Sequence, residues 1–457
     1  MRKSLLFWLL GLIVGGLLVF SAACGDDKKD DGDKTPAGGT PNATQPSGAS
    51  PGVTDTEVKL GTHTSLTGPI SAYNIIPNFT KAYFDHINET EGGVNGRTIN
   101  YLREDDAYSP AEAVSLTRKL VEQDHIFAMF NALGTPNHLQ VVDYLQDNGV
   151  PDMFVATGAT EWVKDPSARP LVFGSNPNYT GEGLAIGKWI VDNMGADAKV
   201  GVVYQNDDFG VDGLAGVKLA LPVESEQPYE VTDPDLSSQI AQLRSADVDV
   251  VVMFSTPLLL GQGIKYARSD LGWDVQFAIS AVSMNELTSL IAGGGQGGQR
   301  CGLELAVEGC LIDGTVGPVA TYMAYQTSVP AVQAHVDLVA NSGIRDAKAT
   351  VLTMYAQYVA ELMVETLRIA GADLTRESLV AAAESITDWT CSVCLFPLTL
   401  GPDDHDPAQG LAFGKYVGGQ VVITDTAYSW EGVAVADLSL DSLTELEVPA
   451  DALTPPQ

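Results

Sequence analysis

Basic residues are scarce in this sequence. Its 457 residues include 25 Lys and Arg against 58 Asp and Glu, which gives a formal net charge of -33 at pH 7. Such an acidic surface repels phosphate backbones, so we expect no nucleic-acid partner. Its simplest interpretation is a soluble surface that does not adhere to other molecules.

Residues and motifs for catalysis are also sparse. The chain has six histidines, no GxSxG elbow in a Ser-His-Asp order and no HExxH spacing. His63 and His138 are within reach of a cleft, but lone histidines at strand ends are more often hydrogen-bonded structural residues. His405, in "GPDDHDP", is predicted to lie in a surface hairpin. Because "GEGLAIG" lacks the spacing of a dinucleotide site as well, we expect no enzyme, no metal site and no cofactor.

Cysteine is limited to five positions. Cys301 and Cys310 flank "GLELAVEG", while Cys391 and Cys394 form "CSVC" at a turn that enters a predicted strand. In an exported chain, two short-range disulfides are the economical interpretation. A redox CxxC belongs at a helix N-terminus, and a four-cysteine zinc site needs a closer spacing of the first pair.

A long apolar run stands at the N-terminus, "LLFWLLGLIVGGLLVF" at 5–20. It is shorter than the roughly 20 residues of a membrane-spanning helix and is typical of a signal peptide, here 1–23. The following "SAAC" resembles a bacterial lipoprotein box with Ser21 in place of the usual leucine, which implies a lipid on Cys24. The alternative is an uncleaved signal anchor, and in both cases the chain is exported and tethered.

The segment 24–53 comprises the lipidated cysteine and a predicted disordered linker. Gly, Pro, Ser, Thr and charged residues dominate it, and almost nothing in it can enter a core. A flexible chain of this length places the folded part roughly 30 Å from the membrane surface.

From Thr54 onward, short apolar runs alternate with helical patterns, which predicts parallel sheets flanked by helices. Ser109 is predicted to cap a helix whose first residue is Pro110. The alternation restarts near Val200, which indicates two lobes. Three loops of the first block, "THTSLTGPISAYN", "NALGTPNH" and "ATGAT", contain Gly, Thr and Ser with almost no charge. Such loops at the carboxyl ends of strands suit a carboxylate. Helix capping is the better explanation for one loop alone, but three convergent loops favour a site.

Several segments together resemble one family, the periplasmic branched-chain amino acid binding proteins. They are "VKLGTHTSLTGPISAY", "GGVNGRTINYLREDDAYSPAEAVSLTRKLVEQD", "GVPDMFVATGAT", "KVGVVYQNDDFGVDGLAG" and "LFPLTLGPDDHDPAQGLAFGKY", and the resemblance extends from Val58 to about Asp437. It implies an α/β type I fold with two Rossmann-like lobes, each a parallel sheet flanked by helices, joined by three hinge crossings. The expected boundaries are 54–174 and 318–412 for lobe 1, 175–317 and 413–440 for lobe 2, and 441–457 for a C-terminal tail.

The resemblance also implies a binding site. Gly158, Ala159 and Thr160, with Thr135, correspond to residues that hold a ligand carboxylate. The other expected ligand-binding positions are Tyr73, Leu133, Gly134, Phe209 and Ala281.

The last of these positions departs from the family. Relatives that bind amino acids have an acidic residue where this chain has Ala281, and the aromatic of their second lobe is replaced by Thr256 and Pro257. Without a counter-charge a buried ammonium is costly, so we expect a carboxylate or amide without an α-ammonium, such as an aromatic acid, a short dicarboxylate or a small amide. The alternative sources of the charge are Glu286, Asp207 and Asp208.

The resemblance implies a monomeric, lipid-anchored solute-binding protein on the periplasmic or outer face of the membrane. It would close its lobes over a small ligand and deliver it to the permease subunits and ATPases of an ABC importer. A sensing lipoprotein that signals to a membrane receptor is the alternative, since it too needs only a closing cleft.

Overall fold

The computed structural model describes residues 50–303 and 307–456. The predicted signal peptide, Cys24 and most of the predicted linker lie outside the described residues. The end of that linker differs from the prediction, because Val53 is buried and pairs with Val58, and the amide of Lys59 donates to the carbonyl of Gly52 at 2.8 Å. Among the described helices, none combines the length and the apolar character needed to cross a membrane.

The first lobe is built on a five-stranded parallel sheet of order β2-β1-β3-β4-β5. Its N-terminal elements are β1 (Glu57–Thr64), α1 (Ile75–Glu91), β2 (Thr98–Asp105), α2 (Pro110–Glu122), β3 (Ala128–Phe130), α3 (Thr135–His138), α4 (Val142–Asp147), β4 (Asp152–Val155) and β5 (Val172–Gly174). The predicted start of α2 is confirmed: Pro110 is its first residue and the Ser109 hydroxyl accepts from the amide of Glu112 at 3.5 Å.

The second lobe holds an eight-stranded sheet of order β13-β12-β11-β10-β9-β8-β6-β7. The elements before its return to the first lobe are α5 (Tyr179–Met194), β6 (Val200–Gln205), α6 (Asp208–Ala220), β7 (Val223–Tyr229), α7 (Ser237–Ser245), β8 (Val250–Phe254), α8 (Pro257–Lys265), β9 (Gln276–Ile279), α9 (Glu286–Ala292) and β10 (Val316–Val319). The chain then adds α10 (Pro330–Asn341), α11 (Val351–Ala370) and α12 (Arg376–Ala383) to the first lobe and closes with β11 (Gly410–Val417), β12 (Gln420–Ser429) and β13 (Thr444–Glu445).

The expectation of two parallel sheets needs one correction. Strands β6 to β10 run parallel, but β10–β11, β11–β12 and β12–β13 pair antiparallel, so the larger sheet is mixed. The physical reason is the turn between β11 and β12, where Gly418 and Gly419 both have positive φ, 59° and 75°. A two-residue turn of this kind returns the chain directly beside the strand that it left.

The chain crosses between the lobes three times, after β5, after β10 and before β11. The last crossing ends earlier than expected, because residues 410–412 already belong to β11 of the larger sheet. The C-terminal segment also joins this lobe: β13 pairs with β12, and the Gln326 side chain donates to the carbonyl of Ala452 at 2.5 Å. Both cysteine pairs form disulfides, with Cα–Cα distances of 5.8 Å for the first pair and 5.1 Å for the second.

Helices α5 and α6 lie in unusually close contact because glycines face each other between them. A Cβ on Gly183 would lie 2.2 Å from the carbonyl oxygen of Gly213, and one on Gly216 would lie 2.1 Å from the carbonyl oxygen of Thr180. No side chain fits at these distances, so the two backbones pack directly. This contact fixes the N-terminal turns of both helices, which face the cleft.

We expect Gly183→Ala to lower the free energy of unfolding by about 1–3 kcal/mol, the usual cost of overpacking a core, despite the better helix propensity of alanine. Urea denaturation of residues 50–457 measures the change. Gly401→Ala is the control, because a Cβ there meets no atom within 4 Å. Equal stability of the two variants would contradict the close helix contact.

Candidate functional site

A cavity of about 160 Å³ lies between the two lobes at the level of the three crossings. Asn176, Ala320 and Ala408, one from each crossing, line it. Most of the wall is apolar, with Ile70, Leu133, Met284, Leu352 and Phe396 among the contributors. The space is comparable to the apolar cavity of roughly 150 Å³ that holds a benzene molecule, so it suits a compact hydrophobic group.

Six of the nine expected ligand-binding residues line this cavity, namely Tyr73, Leu133, Gly134, Thr135, Phe209 and Ala281. Tyr73 also joins the lobes, since its hydroxyl donates to the carbonyl of Val282 at 3.1 Å. Phe209 sits at the start of α6, with its ring centroid 4.7 Å from that of Tyr179. Tyr73 and Phe209 therefore reach the cavity from opposite lobes.

Thr135 forms a polar corner of the cavity with a residue that the sequence did not single out. Its hydroxyl oxygen is 2.6 Å from that of Thr157, and both residues line the wall. Gly134 precedes them with φ 112°, and a Cβ there would lie 2.6 Å from the ring of Tyr108. Glycine is required here by both the backbone angle and the close ring.

The predicted clamp residues 158–160 do not line the cavity. Ala159 is fully buried, and a Cβ on Gly158 would lie 2.0 Å from the carbonyl oxygen of Pro177. Thr160 is engaged by the protein itself: its amide and its hydroxyl both donate to Oδ2 of Asp212 at 2.8 Å. Because Asp212 belongs to α6, this carboxylate links the second lobe to the first and takes the donors that we expected a ligand to use.

An acidic group lies next to Ala281 after all. Oε1 of Glu182, in the first turns of α5, accepts from the amide of Ala281 at 2.6 Å, and Glu182 lines the cavity with only 1% of its surface exposed. Burial raises the pKa of the Glu182 carboxyl to about 7, against the lowering effect of the Ala281 amide and the Ser280 hydroxyl. An acidic side chain therefore lines the pocket beside Ala281, where the sequence predicted none.

The three alternative acids from the sequence do not line the cavity. Glu286 accepts from the amide of Val351 at 3.3 Å, and Asp207 caps α6 through the amide of Phe209 at 3.0 Å. Burial raises the pKa of Asp208, which lies near Glu161. Of the two residues that replace the family's second aromatic, Thr256 lines the cavity and Pro257 begins α8.

The histidines near the cleft are structural. His63 lies 2.8 Å from Asp106 and His138 lies 2.5 Å from Asp152, both fully buried pairs outside the cavity wall. His405 differs from the prediction of a surface hairpin: it is buried, with Nδ1 2.7 Å from the carbonyl oxygen of Val172. The described residues contain no group of three or more His, Cys, Asp or Glu placed to hold a metal ion.

Sequence reasoning missed Glu182 in particular, although the sequence carries a signal for it. It is the one charged residue between Asn176 and Lys188, in a run that is otherwise small, apolar or uncharged. A lone charge on the buried face of a helix either has a partner or belongs to a site.

Most of the described chain is similar in sequence to known proteins. The model of the periplasmic binding protein family matches residues 57–420. A Leu/Ile/Val-binding protein homolog 2 of Brucella abortus is 27% identical over 247 residues, which cover 52% of this chain and 65% of that protein. A leucine-, isoleucine-, valine-, threonine-, and alanine-binding protein of Pseudomonas aeruginosa is 24% identical over 263 residues, 55% of this chain and 67% of that protein. The match to the Brucella protein thus spans less than two thirds of its length.

Solved structures share the fold. A fatty acid ABC transporter substrate-binding protein from Thermomonospora curvata has a TM-score of 0.72 at 24% identity, covering 90% of this chain and all of that one. A branched chain amino acid ABC transporter from Thermus thermophilus with bound valine has a TM-score of 0.70 at 18% identity, covering 87% of this chain and 98% of that one. The predicted type I architecture is confirmed by these likenesses.

The Asp212–Thr160 contact predicts how the ligand-free lobes behave. Asp212→Ala removes one charged acceptor from two interlobe donors, so we expect the ratio of open to closed molecules to rise about tenfold or more. Small-angle X-ray scattering without ligand would report a larger radius of gyration. Asp208→Ala, one turn earlier on α6, is the control and should scatter like the parent. Identical scattering of the Asp212 variant and the parent would contradict the contact.

Proposed function

This chain belongs to the periplasmic binding protein family, and on that premise we propose that it is the extracytoplasmic solute-binding component of an ABC importer of the branched-chain amino acid type. The family consists of solute binders rather than enzymes, as the sequence predicted. The observation that carries the proposal is the apolar cavity at the junction of the two lobes, which a small solute would fill.

The cavity chemistry supports a compact, mostly aliphatic ligand with one polar end. Ile70, Leu133 and Leu352 offer surface to a branched carbon chain, whereas the hydrogen-bonded hydroxyls of Thr135 and Thr157 leave one O–H free to donate to a carboxylate or amide oxygen. Thr160 is not part of this polar end, because Asp212 occupies its donors. The polar end of the ligand is therefore held by the Thr135 side of the expected clamp.

The solutes named for similar proteins have the same chemical character. Both relatives are named for leucine, isoleucine and valine, and one of them also for threonine and alanine. The titles of the structural neighbours name a fatty acid and a branched chain amino acid, with valine bound. These compounds share an aliphatic body and a carboxyl group. We carry over that shared chemistry to this chain, without choosing one of the compounds.

Binding would be coupled to hinge closure. A ligand between the lobes contacts Leu133 and Thr135 from one side and Phe209 and Met284 from the other. Contacts with both sides are made only when the lobes meet, so the ligand stabilises the closed form by the difference between its affinities for the closed and open forms.

The delivery side of the proposal rests on the N-terminal sequence. The lipoprotein-like "SAAC" supports a lipid anchor on Cys24, followed by a linker that keeps the monomeric binding domain close to the membrane. Permease subunits and their ATPases would then receive the ligand from the closed protein. Mass spectrometry of the membrane-extracted protein tests the anchor, since a diacylglycerol-modified Cys24 would be the first residue.

We expect an aliphatic carboxylate to raise the melting temperature of residues 50–457, and Thr135→Val to weaken its binding by about 1–3 kcal/mol, the cost of a lost hydrogen bond to a buried acceptor. Thermal-shift titrations with leucine and with 4-methylpentanoate measure this. A ligand at about 100 times its Kd adds roughly 2.7 kcal/mol of stability.

The control is Thr117→Val, a buried threonine of α2 that does not line the cavity. It should leave the affinity unchanged. Equal affinities of the two threonine variants would remove Thr135 from the site, and no shift with either compound would argue against an aliphatic ligand.

A further inference from the structure

The Glu182 carboxyl is buried where the lobes meet. It lies in the first turns of α5 and is 1% exposed, and its Oε1 accepts a hydrogen bond from the amide of Ala281 at 2.6 Å. Helix α5 follows the first crossing, whereas Ala281 directly follows β9, another element of the same lobe. The carboxyl therefore sits at the cavity wall, held by the backbone of another element.

None of the ion pairs among the described residues includes Glu182. On the same helix, Lys188 is paired with Asp192 at 2.6 Å, and the phenol of Tyr179 feels the charge of Glu182. On α6, which packs against α5, Asp212 is bound to Thr160 and Asp208 lies near Glu161 and Lys164. The loop after β9 contributes an amide and the Ser280 hydroxyl, neither of them charged.

A buried carboxylate without a cation is costly, by several kcal/mol. Two outcomes relieve that cost: the carboxyl takes up a proton, or a cation arrives beside it. In this protein the neighbouring space is a cavity proportioned for a small organic molecule, so a ligand is the cation that can reach it. A structural role alone would not need the carboxyl at the cavity wall, because a neutral side chain can accept from the Ala281 amide equally well.

We infer that Glu182 receives a protonated nitrogen of the ligand, so that the site takes an aliphatic solute that carries an ammonium group. This inference rests on the proposed function and narrows it to amino acids and related amines. Thr135 and Thr157 take the oxygen end of such a ligand, and the apolar wall takes its side chain. Glu182, on α5, thereby supplies the negative charge that amino-acid-binding relatives have at the position of Ala281.

Proton release follows from this arrangement. Because burial holds the pKa of Glu182 at about 7, part of the ligand-free protein carries a proton there at neutral pH. An ammonium pairs with the ionised form, so binding releases that proton. Below about pH 7 the affinity for an ammonium-bearing ligand should fall, by up to about tenfold per pH unit, and above it the affinity should level off.

Isothermal titration calorimetry with three probes tests the inference: leucine, 3-methylbutylamine and 4-methylpentanoate, which lacks the nitrogen. We expect Glu182→Gln to weaken the binding of leucine and of the amine about tenfold or more, with a much smaller effect on 4-methylpentanoate. Repeating the titration in two buffers of different ionisation enthalpy should detect proton release in the parent and none in the variant.

Glu286→Gln is the matched control. Its carboxyl also has a pKa raised to about 7 by burial and also accepts from a backbone amide, but it does not line the cavity. It should bind all three probes like the parent. Glu182→Asp keeps the charge on a shorter side chain and should lose less leucine affinity than Glu182→Gln.

Three other outcomes would contradict the inference about Glu182. Binding of 4-methylpentanoate without leucine would overturn the inference and leave the proposed function intact. Unchanged leucine affinity in Glu182→Gln, or loss of it in Glu286→Gln alone, would also overturn it. If none of the probes binds, the aliphatic solute-binding proposal fails and the inference with it.

Discussion

The closed cleft depends on one constraint: polar groups buried when the lobes meet must find partners. Tyr73 meets the carbonyl of Val282, and Asp212 meets both donors of Thr160. Glu182 has only uncharged partners, the amide of Ala281 and the hydroxyl of Ser280. In our proposal the ligand supplies the positive charge that Glu182 does not find within the described protein. Closure and selectivity then have the same physical origin.

The fold holds these groups in place through helices α5 and α6. Their glycine contact is close enough to exclude side chains, so the two helices pack backbone to backbone within the second lobe. The first carries Glu182 and the second carries Asp212, and both point their N-terminal turns at the cleft. A rotation about the crossings would separate Asp212 from Thr160 and open the cavity around Glu182 in the same movement. Closure of the lobes would therefore form the Asp212–Thr160 contact and enclose the ligand beside Glu182 in the same movement.

The two lobes of alternating strands and helices could be predicted from local sequence patterns, whereas the type I fold and its three crossings were implied by the family resemblance. Alternating strands and helices, the cap at Ser109 and the two cysteine pairs each depend on neighbours within a few positions. The site was harder. Thr160 lies in the expected loop, but its partner Asp212 is 52 residues further along the chain and belongs to another lobe. Likewise the acid sought near Ala281 is supplied by Glu182, 99 residues earlier, and only the packed structure brings them together. His405 was misplaced for the same reason, since its burial depends on Val172 of β5.

The central claim is that the ligand brings the missing charge to Glu182. Infrared difference spectroscopy at about pH 6, below the pKa of this carboxyl, observes it directly. Addition of saturating leucine should remove the carbonyl band of one protonated carboxylic acid and produce carboxylate bands, and Glu182→Gln should lack this difference signal. If leucine binds while the protonated band persists, Glu182 does not pair with the ammonium and the account is contradicted.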